Sequence, residues 1–204
     1  MKHMKKYIVL GLCLGICWLG FSYQRHLFMQ RGKQLVTDAY YGELISVKND
    51  LEKGAPVAYT LTFSDSQRDY KGQTFNALHA AASSGNEDLI LYLLEQGIDI
   101  NSSTPQGWTP LYVATRDGQA QAAKLLVFRG ADLNIQTDLQ TTALSMVVTQ
   151  TYPSEKERLD LLEYMLKRGA EVNLPDVYEH TPLFYAKSMD NQAVVALLEQ
   201  YGAK

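Results

Sequence analysis

Residues able to do bond-making chemistry are few and scattered in this 204-residue chain. The histidines stand at His3, His26, His79 and His180, and Cys13 and Cys17 both sit in an apolar run near the N-terminus. Such scatter fits no pattern of metal ligands, which come as closely spaced donors converging on one point. No nucleophile is matched with a base in a recognisable motif, and no glycine-rich loop is placed to cradle phosphate. The chain is therefore read as non-catalytic, with no metal, no cofactor and no small-molecule substrate. The chemistry left to it is recognition, in which side chains act by where a scaffold presents them.

The scaffold shows in the spacing. Leu78, Leu111, Leu144 and Leu183 lie 33, 33 and 39 residues apart, and Gly97, Gly130, Gly169 and Gly202 lie 33, 39 and 33 apart. Both series carry one six-residue excess, located between Leu144 and Gly169. A shorter interval of 12 residues separates Gly42 from Gly54, Gly85 from Gly97, Gly118 from Gly130, and Asp190 from Gly202. The fullest copy reads Trp108-Thr109-Pro110-Leu111-Tyr112-Val113-Ala114, then Leu125-Leu126-Val127-Phe128-Arg129-Gly130-Ala131-Asp132.

That phrase resembles an ankyrin repeat, whose period is about 33 residues. The resemblance, to ankyrin repeat proteins of the bacterial exported or membrane-anchored type, covers roughly 34–204, clear in the later copies and weak in the first. It implies an all-α solenoid of about five helix-turn-helix repeats with short turn hairpins. The repeats fall at 34–56, 73–101, 106–134, 139–173 and 178–204. Thr109 and Thr181 are expected to cap first helices, with Pro110 and Pro182 at the first helical position, where a missing N–H costs nothing. The glycines end second helices in left-handed backbone. Asp38, Asn49 and Asp50 in the first repeat, and Gln192 and Glu199 in the last, put polar groups where earlier copies are apolar, as terminal caps require. His79 is expected to fasten neighbouring turns by hydrogen bonds rather than to act as an acid or base.

The resemblance also implies where a protein partner binds: the turn tips and the exposed face of the first helices. The residue before the motif threonine points outward there, which assigns Phe75, Trp108, Thr141 and His180. Gln106, Leu139, Val177 and Tyr178 lie in the same turns, and Arg116, Asp117 and Met189 leave the first helices. Large aromatics at such places bury much area at low entropy cost. The alternative for Phe75 and Trp108 is packing between turns.

Two insertions interrupt the period. In the finger at 57–72, Val57, Tyr59, Leu61 and Phe63 alternate with Ala58, Thr60 and Thr62, a strand pattern ending in Ser64-Asp65-Ser66, so an extended hairpin beside the turn face is expected. It is a second candidate binding element, through Tyr59, Leu61 and Phe63. The other, Gln150 to Lys156, separates the helices of the fourth repeat and reads as a structural loop, with Pro153 stopping one helix and Ser154 capping the next.

Charge is uneven. Residues 1–33 hold six Lys or Arg and no acid, leaving 13 basic and 22 acidic residues from 34 onward, a net of −9. Phosphate binding needs clustered positive charge, so nucleic acid is excluded as the expected partner. The uncharged run Tyr7 to Tyr23 follows three N-terminal lysines and reads as a hydrophobic helix ahead of the solenoid, a signal peptide or signal anchor over 1–23. Gly20-Phe21-Ser22 allows cleavage after Ser22, whereas Trp18, Phe21 and the basic linker 24–33 favour an uncleaved single-pass anchor. By the positive-inside rule the repeats then lie outside the cytoplasm, at the inner membrane or, after cleavage, in the periplasm or beyond. The expected function is a tethered or exported adaptor for a protein partner. The alternatives are an immunity protein neutralising a toxic enzyme in the periplasm and a periplasmic stress-related accessory.

Overall fold

The computed structural model describes residues 24–63, 70 and 72–204. The hydrophobic helix expected over 1–23 lies outside them, and among the described residues no helix is long and apolar enough to cross a membrane.

Residues 24–40 form helix α1, so the stretch 24–33, expected as a linker, is helical and runs straight into the first repeat. Helix α2 (Leu44–Glu52) completes that pair. The finger follows as β1 (Leu61–Thr62) and β2 (Thr74–Phe75), antiparallel, with Leu61 opposite Phe75 and Thr62 opposite Thr74. Four helix pairs come next: α3 (Ala77–Ser84) with α4 (Glu87–Glu95), α5 (Pro110–Arg116) with α6 (Ala120–Phe128), α7 (Ala143–Thr149) with α8 (Glu155–Lys167), and α9 (Pro182–Ser188) with α10 (Gln192–Gln200). First helices stack as α3, α5, α7, α9 and second helices as α4, α6, α8, α10, giving two layers.

Local chemistry explains each start and stop. Thr109, Thr142 and Thr181 accept from the amides of Tyr112, Ser145 and Phe184, satisfying donors the helix itself leaves unpaired. Asn76 does the same for α3, accepting from Leu78 and His79. Asp190, placed in the glycine series by spacing alone, has φ +52°, close in conformation to Gly85 and Gly118 at +73° and +70°. Asp tolerates this backbone because its short side chain interacts locally.

The core lies between the two layers. Leu78, Leu111, Leu144 and Leu183 are all buried, each contributing roughly 1.5–3 kcal/mol by leaving water. Ala120 and Val127 are buried in the middle of the array, whereas Gln192 and Glu199 at their places in the last repeat are exposed. The loop after α7 folds back rather than hanging free. Tyr152 is buried and its hydroxyl donates to the Thr115 carbonyl at 2.8 Å, while Arg158 Nη2 donates to the Gln150 carbonyl at 2.8 Å.

The finger also packs inward. Tyr59 lies against Gly32 of α1, where a Cβ would come within 2.3 Å of its ring, and Phe63 is buried against Tyr40, Tyr70 and Phe75. The expected hairpin is present, but its role as a binding element through Tyr59, Leu61 and Phe63 is corrected: Phe63 belongs to the core, and Tyr59 and Leu61 are half-buried against it. The insertion thereby adds its aromatic rings to the apolar side chains that the first pair already buries, Leu35, Val36, Ala39 and Val47.

Candidate functional site

Turns between repeats share one construction. Thr104 N–H donates to the Trp108 carbonyl at 2.9 Å, Thr137 to Thr141 at 3.0 Å, and Asp176 to His180 at 3.0 Å. A side-chain oxygen at the start of each turn also receives amides: Thr104 Oγ1 from Gln106 and Trp108, Thr137 Oγ1 from Thr141, and Asp176 Oδ1 from Tyr178 and His180. Successive tips are then tied, Asp138 N–H to the Gln106 carbonyl at 3.0 Å and Val177 N–H to the Leu139 carbonyl at 3.1 Å. The result is a ribbon of turns locked by backbone bonds, from which tip side chains are displayed.

His79 secures the same edge from below. Its Nε2 lies 2.9 Å from the Trp108 carbonyl and its Nδ1 2.7 Å from Asn76 Oδ1, and the ring is almost wholly buried. Burial pushes its pKa down to about 4, against the raising effect of the Trp108 and Ser102 carbonyls, so the imidazole is neutral at pH 7. This is the fastening role expected of it.

The expected site residues separate into two groups. In the first, Phe75 is fully buried, which corrects its assignment as an outward tip residue. Its ring is enclosed by Phe63, Tyr70, His79 and Trp108 at centroid distances of 5.3, 4.9, 5.4 and 6.5 Å. The physical reason is the hairpin: β2 carries Phe75 inward under Tyr70. Trp108 is half-buried, with the Arg116 guanidinium 4.9 Å from its ring centre and 5.0 Å from that of Tyr70. Asp117 pairs with Arg116 at 3.2 Å and accepts from the Tyr70 hydroxyl, which also contacts Ser83 Oγ at 2.9 Å. Arg116 and Asp117 are therefore engaged with the finger.

The second group faces solvent. Leu139, Tyr178 and Met189 are 59%, 70% and 48% exposed, and the neighbouring Val177 and Phe184 are exposed as well. His180 stacks on Phe184 at 3.9 Å with rings 6° from parallel, and Tyr178 lies 6.1 Å from His180. Beneath them Asp176 accepts from the Tyr185 hydroxyl. Burial raises the Asp176 carboxyl, but the hydrogen bonds from Tyr185, His180 and Tyr178 outweigh it and hold the pKa below the usual range. The same bond, with some desolvation, raises Tyr185 to about 12. Thr141 is half-buried and contacts the Tyr112 hydroxyl at 3.2 Å, and Gln106 is half-buried beside Trp108.

Three contributors went unnoticed in the sequence: Tyr70, Phe184 and the turn-opening set Thr104, Thr137 and Asp176. Phe184 occupies the framework position held by His79 in the second repeat, which masked it. The turn-opening residues carried a usable signal, a hydroxyl or carboxylate four residues before Trp108, Thr141 and His180.

Paired helices in two stacked layers, with turns joined in a ribbon, define a helical repeat solenoid, a class of protein that works as an extended binding scaffold. This chain is an ankyrin repeat protein: residues 47–137 match the family model described as ankyrin repeats in three copies. It is 34% identical over 134 residues to the ankyrin repeat, SAM and basic leucine zipper domain-containing protein 1 of Dasypus novemcinctus, covering 66% of this chain and 27% of that protein. The protein of the same name from Carollia perspicillata is 34% identical over 126 residues, covering 62% of this chain and 26% of the relative. The chain thus spans about a quarter of the length of these relatives.

Proposed function

We propose that this chain is a non-catalytic scaffold that holds a protein partner against the tips and first-helix face around Leu139, Tyr178, His180 and Phe184, with residues 1–23 exporting or anchoring it. The observation that carries this is the set of exposed apolar and aromatic side chains side by side on a hydrogen-bonded ribbon. The backbone that carries these groups is already fixed by hydrogen bonds before binding, so little of its entropy is lost on association, and aromatic side chains dominate binding energies.

The test is affinity capture with the full chain and with Tyr178→Ser plus Phe184→Ser. Loss of the captured partner at unchanged thermal stability supports the face, and undiminished capture rejects it. Export is checked separately: a mature form beginning at Tyr23 excludes the anchor, and repeats shielded from external protease exclude export.

The net charge of −9 over 34–204 favours a more specific role, an inhibitor or immunity protein that covers a basic enzyme surface outside the cytoplasm. Rescue of cells from one co-expressed toxic enzyme supports that role. A stress-related accessory instead predicts sensitivity to oxidants when the gene is lost.

A further inference from the structure

A cavity of about 280 Å³ opens along the turn ribbon, lined by Gln73, Gln106, Trp108, Tyr112, Thr137, Asp138 and Leu139, with the Gln73 Oε1 already accepting from Thr104 Oγ1 at 3.3 Å. Its walls are mostly apolar, and it is smaller than the usual small-molecule pocket, of a size for one inserted side chain. Gln106 has its backbone fully used, the amide donating to Thr104 Oγ1 and the carbonyl accepting from Asp138. Its side-chain Oε1, by contrast, is buried and accepts no hydrogen bond among the described residues. A buried acceptor left unpaired destabilises the free protein, and a donor entering the cavity removes that penalty once the carboxamide turns toward it.

The charges around the cavity favour a cationic donor. Asp138 stands exposed in the lining, and the segment 34–204 carries −9 overall. Among the described residues the positive group beside Trp108 is Arg116, which is paired with Asp117 and lies against Tyr70 and Trp108. A guanidinium is better suited than an ammonium, because its planar fork can serve two acceptors at once and stack on an aromatic face.

We propose that this cavity receives one arginine side chain of a basic partner segment, its stem against Trp108, Tyr112 and Leu139, and its guanidinium shared between Gln106 Oε1 and Asp138. The proposal rests on the scaffold reading above and specifies the chemistry of the partner's anchor.

The experiment uses the full chain in mild detergent, panned against a displayed random-peptide library, with the most enriched peptide then synthesised. The expected result is an arginine at a fixed place in the enriched set. Replacing it with leucine lowers affinity about tenfold or more, as does Asp138→Asn in the protein. Gln106→Leu weakens the peptide while raising the melting temperature of the free protein, and Gln106→Glu strengthens binding about fivefold. A purely structural glutamine would show neither of these responses. Binding that survives loss of the arginine, or is unmoved by Gln106→Leu, overturns the cavity assignment. If that same peptide is still lost on Tyr178→Ser, the scaffold reading stands alone. Indifference to both sets of substitutions, or no enrichment at all, overturns both.

Discussion

Burial decides the role of each aromatic residue. Phe75 and Tyr178 both precede the first helix of their repeat, yet one is fully enclosed and the other 70% exposed. Phe75→Ala is expected to destabilise the fold by about 3–5 kcal/mol, read as a lower midpoint in denaturant unfolding. Tyr178→Ala should leave that midpoint within about 0.5 kcal/mol and act only on partner affinity. His79 gives the array an acid sensitivity of definite sign. Its folded pKa of about 4 lies below the ordinary value of 6.5, so above pH 6.5 both folded and unfolded states hold it neutral and nothing is lost. As pH falls from 6.5 toward 4 the unfolded chain takes up the proton first, and stability drops by roughly 3 kcal/mol. Denaturation midpoints measured across that window should flatten in His79→Gln relative to the parent.

Turns and helices are held by different demands, and the glycines separate them. Gly107, Gln140 and Glu179 occupy equivalent places in successive turns with φ of +80°, +56° and +63°, so left-handed backbone alone does not demand glycine. At Gly107 a Cβ would stand 2.9 Å from Thr137 Cα, and the next turn leaves it no room. Gly107→Ala should therefore destabilise by roughly 2 kcal/mol and lower the melting temperature, more than Gln140→Ala does. The repeated elements were legible in the sequence because their caps, prolines and glycines recur at fixed spacing. The inward path of the finger was not. Alternation of Val57, Tyr59, Leu61 and Phe63 identifies a strand but cannot say which side meets the core, and that depended on Gly32 and Tyr40 from a distant helix. The tip residues Tyr178, His180 and Leu139 were readable from the repeat. Their partner Phe184 stacks on His180 within one repeat but is hidden at the framework position of His79, and the capture of Arg116 by Tyr70 arises only once the finger packs on the array.

Across the whole molecule, stability passes from neighbour to neighbour, since α9 and α10 cover the faces of α7 and α8. Removing residues 178–204 should lower the melting temperature of what remains, measured by circular dichroism, instead of leaving an equally stable shorter array. The ties between turn tips behave differently, because they run from amide to carbonyl, Asp138 to Gln106 and Val177 to Leu139, and take no part of their strength from the side chains there. Fold and ligand choice are thereby uncoupled in inheritance: mutations at 139, 177 and 178 can accumulate without a folding penalty, and a lineage carrying this chain can exchange one partner for another while the array itself stays unchanged.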